Sequence, residues 1–190
     1  IMNKLCTLFI SLMFSVTIFA QNHLEFRGIP IDGHIDDFVR KMKAIGYVEV
    51  DRNSSVALMT GDFANHSVTI TILTTPKSHK VYNVVVKIEK QSSWLSIKNR
   101  YFEFKELYTS KYGKPSKGVE RFYDPYYEGD GYEMQALKLE KCFYASLFDL
   151  SNGTVLLTMS DSAKVMMYYT DSKNAELKER EEKSSALDDI

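Results

Sequence analysis

Any chemistry in this chain would have to rest on four histidines, one cysteine beyond the first twenty residues, and a run of tyrosines interleaved with acids. His23, His34, His66 and His79 stand apart, and no two share the i, i+4 spacing that turns a pair of imidazoles toward one metal ion from a helix face. His34, beside Asp36 and Asp37, falls where a helix N-cap is expected, and capping accounts for it. Cys142, between Lys141 and Phe143 at the start of an apolar run, has the setting of a buried small hydrophobe rather than a nucleophile. No Gly-x-Ser-x-Gly elbow, phosphate-cradling glycine loop or dinucleotide fingerprint occurs, so neither a catalytic residue nor a cofactor nor a metal is expected.

The segment from Phe122 to Tyr132 is the most distinctive surface candidate. Tyr123, Tyr126, Tyr127, Glu128, Asp130 and Tyr132 are its candidate binding residues, because a tyrosine buries much area at low entropic cost and keeps a polar tip. The competing reading is a loop whose rings fold back over a sheet edge. Asp124, Glu128 and Asp130 lack the spacing of an EF-hand calcium loop. Between Lys77 and Lys117 ten bases face three acids, enough to meet an acidic glycan, headgroup or protein if they share a face, and otherwise an ordinary solvated surface.

Two helices and a series of strands must position these groups. Ile35, Phe38, Val39, Met42 and Ile45 recur at helical spacing, with Asp36 and Asp37 in the first turn and Gly46 as the stop. The second helix is capped by Ser92 or Ser93, carries Trp94, Ile97, Tyr101, Phe104, Leu107 and Tyr108, and ends at Gly113 before Pro115. A stripe of that kind is expected to be core. Short alternating runs over Tyr47–Asp51, Val56–Asp62, Val68–Leu73 and Val81–Glu89 read as antiparallel strands with one buried and one mostly wet face. Further strands are expected over Val119–Tyr123, Cys142–Leu150, Val155–Ser160 and Lys164–Thr170, with a short helix over Tyr132–Glu140 opened by an Asp130/Glu133 capping box. Asn152-Gly153 predicts a tight hairpin turn with positive φ at both residues.

Residues Met2 to Ala20 show one early cation, Lys4, then an apolar run, then a small residue before polar Gln21, the order of a secretory signal peptide. Export to the periplasm or the exterior is the expectation, with cleavage after Ala20. No later apolar run is long enough for a membrane helix. Beyond the signal, 23 bases meet 25 acids, a balance that gives no reason to expect nucleic acid. The expected organisation is a signal peptide over 1–20, a helix-plus-sheet unit over 21–90, a second over 91–170, and a charged, solvated tail over 171–190. The class is α+β: two successive units of an amphipathic helix packed on a short antiparallel sheet.

Phe26-Arg27-Gly28-Ile29-Pro30-Ile31-Asp32-Gly33, Ile45-Gly46-Tyr47 and Tyr112-Gly113-Lys114-Pro115 give the chain a resemblance. It resembles the small exported tandem modules of the beta-lactamase-inhibitor-protein-like and SmpA-like kind. That resemblance implies a helix on one face of a short antiparallel sheet, occurring twice. With Cys6 in the signal, Cys142 alone leaves no module disulfide of the inhibitor type. The functional expectation is a non-enzymatic binding protein of the cell envelope or exterior, acting on a protein or glycan. The alternative is a curled-sheet small-ligand-binding protein or hydrolase with a pocket under the second helix, ringed by Tyr101, Phe104 or Tyr108.

Overall fold

The computed structural model describes residues 23–188, so the signal peptide expected over 1–20 lies outside the described residues. A two-stranded ribbon comes first, β1 (Glu25–Phe26) and β2 (Ile29–Pro30), turned by Arg27 and Gly28 at φ 54° and 77°. Helix α1 (Ile35–Ala44) follows, capped by His34, whose ring accepts from the Asp36 amide at 3.4 Å. Four strands form a meander, β3 (Val48–Arg52), β4 (Val56–Phe63), β5 (His66–Thr74) and β6 (Val81–Ile88). Helix α2 (Trp94–Tyr112) starts at Ser93, whose hydroxyl accepts from the Ser96 amide, and stops at Gly113 with φ 85°. Then come β7 (Lys117–Phe122), the short α3 (Glu133–Lys138), β8 (Cys142–Leu150), β9 (Gly153–Met159), β10 (Val165–Asp171) and α4 (Ser172–Asp188).

The expected pair of short sheets is corrected. One eight-stranded antiparallel sheet runs in the order β3-β4-β5-β6-β10-β9-β8-β7, with the β1-β2 ribbon apart from it. The two meanders fuse because β6 and β10 pair, Asn83 to Lys87 against Thr170 to Met166. The physical reason lies in β6, where Val84, Val85 and Val86 are all buried. Consecutive buried residues turn to opposite faces, so this strand belongs inside a sheet rather than at its edge. At the outer edge, β3 carries an irregularity between Glu49 and Asp51, and Val48 and Val50 are 63% and 57% exposed.

On one face of the sheet, α1 buries Ile35, Phe38, Val39 and Met42, and α2 buries Ile97, Tyr101, Phe104 and Tyr108. These close over Met59, Ile70, Val84, Val86, Leu157 and Met167 in one core. Burying a side chain of this size is worth about 2 kcal/mol. Leu107, expected in the α2 stripe, is instead 49% exposed.

The charged stretch beyond Asp171, expected as a solvated tail, forms the helix α4, most of whose residues are exposed. Its anchor is local and polar. Asp171 is fully buried, and its carboxylate accepts from the Leu24 amide at 2.7 Å, the Asn174 amide at 2.9 Å and the His23 ring at 3.1 Å. The Asn174 side-chain amide donates to the carbonyls of Ile31 and Val81 and to Asp32. Further along, Glu181 accepts from the amides of Lys77 and Ser78, and the Lys178 ammonium stands 5.7 Å from the centre of the Tyr82 ring.

The β8–β9 hairpin turn departs from expectation. Leu150 pairs with Gly153, so the β8–β9 loop is Ser151-Asn152, and neither these residues nor Gly153 takes a positive φ. The positive-φ pair instead joins β4 to β5, at Ala64 (50°) and Asn65 (65°). Gly153 is required by space, because a Cβ there would sit 2.3 Å from the Thr170 carbonyl oxygen. Gly153→Ala is therefore expected to cost about 1–3 kcal/mol in denaturant unfolding. Gly118→Ala, whose Cβ would meet nothing nearer than 3.5 Å, is expected to stay within about 0.5 kcal/mol.

Candidate functional site

The β7–α3 connection holds the six tyrosine-loop residues, and the fold divides them. Tyr126 packs on the core and its hydroxyl accepts from the Gln135 side chain at 3.1 Å. Glu128 turns to α2 and pairs with Lys98, whose ammonium holds the Glu128 carboxyl below the usual range. Asp130 folds the loop, accepting from the Tyr127 and Tyr132 amides at 3.1 and 2.7 Å. The expected capping box is not formed there: α3 starts at Tyr132 without a side-chain cap, and Glu133 reaches back to the Gly129 amide. Tyr123, Tyr127 and Tyr132 remain 37%, 65% and 61% exposed. Tyr123 meets Phe143 edge to face at 5.4 Å, with the Arg121 guanidinium 4.4 Å from the centre of its ring.

Arg121 and Phe143 are register partners at the end of the second, open face of the sheet. Leu58, Thr71, Val85, Tyr168, Leu156 and Leu147 pair in succession across that face, from β4 to β8. None of them belongs to the core beneath α1 and α2, and all except Val85 are part-exposed. The next row holds Thr69, Lys87, Met166, Thr158, Ala145 and Val119. Toward β7 the face dips into a groove of about 250 Å³ lined by Lys117, Val119, Ala145, Leu147 and Leu156. Sequence reading expected a mostly wet face. The missed signal is in doublets such as Leu156-Leu157 and Tyr168-Tyr169, which put large side chains on both faces at once.

On the helix side the aromatic stripe of α2 is packed. Tyr101 is fully buried and bonded to Ser146 at 2.7 Å, and the Tyr108 and Tyr169 hydroxyls meet at 2.5 Å. Phe104 and Tyr108 also wall a cleft at the flank of the helix, with Phe63, Leu107 and Tyr169. No histidine lines it, and its one carboxylate is Glu25. Burial pushes the Cys142 thiol up to about 12, leaving it protonated and inert at neutral pH.

The histidines are scattered. His23 serves the Asp171 anchor, His34 caps α1, His66 lies 2.8 Å from Glu103, and His79 meets His34 ring to ring at 6.1 Å. Among the described residues no three His, Cys, Asp or Glu side chains stand where they would hold a metal ion. The basic middle segment is partly neutralised, Lys98 by Glu128, Lys105 by Glu120, Arg100 by Glu103 and Lys77 by Asp188.

Two expected outcomes follow from this geometry. Asp130→Ala should loosen the loop around Tyr127 and Tyr132, read as faster amide exchange over 126–132 with the midpoint of global unfolding nearly unchanged. Burial raises Tyr101, Tyr108, Tyr144 and Tyr169 above their ordinary value of 10.0. A raised folded-state value means that their contribution is whole below pH 10.0 and is lost as pH climbs through and above it. Alkaline unfolding followed by circular dichroism should therefore shift to higher pH in the double variant Tyr108→Phe/Tyr169→Phe, which removes both mutually bonded hydroxyls.

No family model, no curated protein and no solved structure matches the chain.

Proposed function

We propose that this chain is an exported, non-enzymatic binding protein of the cell envelope or exterior. Its open sheet face, together with the exposed tyrosines at the corner of that face, engages a protein or glycan partner. The observation that carries the reading is the row from Leu58 to Leu147, in which Leu58, Tyr168, Leu156 and Leu147 are large, part-exposed side chains outside the core, with buried Val85 between them. A face of that extent is more apolar than a wet sheet surface needs to be, and large apolar patches on soluble proteins mark interaction sites. Tyr123, Tyr127, Arg121 and Phe143 add the residue types that serve best as anchors in such surfaces. Export rests on the residue order of the first twenty positions. Among the described residues no helix is long and apolar enough to cross a membrane.

The test compares pull-downs from envelope extract by the wild-type protein, a Leu147→Glu/Leu156→Glu variant and a Tyr127→Ala variant, each first checked for unchanged thermal unfolding. The sheet-face variant should lose the partner, and Tyr127→Ala should weaken it by about 1–2 kcal/mol. A partner list identical for all three proteins would sink the reading.

A further inference from the structure

The cleft beside α2 lies on the opposite side of the sheet from the open face, and its chemistry is independent of that face. It encloses about 250 Å³. Its walls are rings: Phe63 and Phe104 stack with centroids 6.1 Å apart and planes 9° off parallel. Tyr108 and Tyr169 stand beside them with their hydroxyls bonded to each other, so the walls are mainly ring carbon. Leu107 leaves apolar surface at the mouth.

Three charged side chains line this apolar recess, Glu25, Arg27 and Lys111. Among the described residues none of the three takes part in an ion pair. Along the same helix Lys98, Arg100 and Lys105 are paired with carboxylates, whereas the Lys111 ammonium stands 4.9 Å from the centre of the Tyr112 ring. Arg27 stands in the β1–β2 turn, whose geometry sets its φ of 54°. Two cations against one carboxylate leave the mouth net positive, and a guanidinium fork matches a carboxylate in geometry as well as charge.

We propose that this cleft binds a small aromatic monocarboxylate, its ring lying among Phe63, Phe104 and Tyr108 and its carboxylate held by Arg27 and Lys111. Aromatic walls favour a flat ring through stacked and edge-to-face contact. The charge balance selects an anion over an amine, since an ammonium group would meet Glu25 only in the company of two like charges.

The test titrates the purified protein with 3-phenylpropionate, with phenethylamine as the charge-reversed probe, and follows backbone amide shifts by NMR. For a ligand of this size the expected dissociation constant is about 1 mM, with shifts confined to residues 25–27, 63–64, 104–111 and 169. Phenethylamine should bind at least about tenfold more weakly. Arg27→Gln and Lys111→Gln, both at exposed positions, should each weaken 3-phenylpropionate by about three- to tenfold without moving the unfolding midpoint. Leu107→Trp should fill the mouth and abolish binding. The proposal is overturned by the absence of saturable shifts up to about 20 mM, by equal binding of the amine, or by affinity for the carboxylate that survives both charge variants. Because no residue of the open face is altered, failure here leaves the sheet-face reading standing, and failure there leaves this one standing.

Discussion

The pairing of β6 with β10 is the constraint on which the molecule depends. Each meander alone would end in a strand with large apolar side chains on both sides and an unsatisfied row of amides and carbonyls. Joined from Asn83 to Lys87 against Thr170 to Met166, the two strands satisfy each other's backbone and become the middle of a single sheet. Everything functional inherits that join. On the helix side it brings Tyr169 against Phe26, with centroids 5.1 Å apart, and against Tyr108 of α2. On the open side it sets Val85 beside Tyr168, which makes one row of what would otherwise be two separate halves.

A second, smaller constraint ties off the end of the join. Asp171 closes β10 with its side chain buried, a placement tolerable only with several hydrogen-bond donors. It has three, drawn from the N-terminal arm and the first turn of α4. Asn174 extends the knot to the carbonyls of Ile31 and Val81. The helix that follows needs little apolar burial, because its first turn is held by hydrogen bonds whose loss would leave buried carbonyls unpaired.

The ends of helices α1 and α2 were legible in the sequence, and the long-range pairings were not. Ser93, His34, Gly46 and Gly113 delimit α1 and α2 where their chemistry predicts, since a cap depends only on residues a few positions away. Whether Val81–Ile88 is central or peripheral depends on a partner strand that begins at Val165, and nothing in β6 itself names it. The hairpin glycine shows the same limit. Asn152-Gly153 marked the place of the hairpin, yet Gly153 opens β9 rather than turning the chain, and its small size is demanded by the Thr170 carbonyl on a neighbouring strand. In the tyrosine loop, composition marked the segment. Gln135, Phe143 and Lys98 then determine which side chains turn inward, pack at the corner or pair. The cleft was least legible of all, because Glu25, Arg27 and Lys111 come from the first and middle parts of the chain and meet only in the fold.

The irregular β3 edge has a consequence for how such a surface can exist in solution. A wide sheet with apolar residues on its open face invites growth by strand addition, the route by which sheets become fibrils. Here the flank at β3 breaks register between Glu49 and Asp51 and carries the charged Asp51 and Arg52, while the flank at β7 carries Lys117 and Arg121. A bulged, charged margin is a poor template for another strand. The molecule therefore separates two kinds of stickiness, an apolar face that stays part-exposed and margins that are poor templates for strand addition.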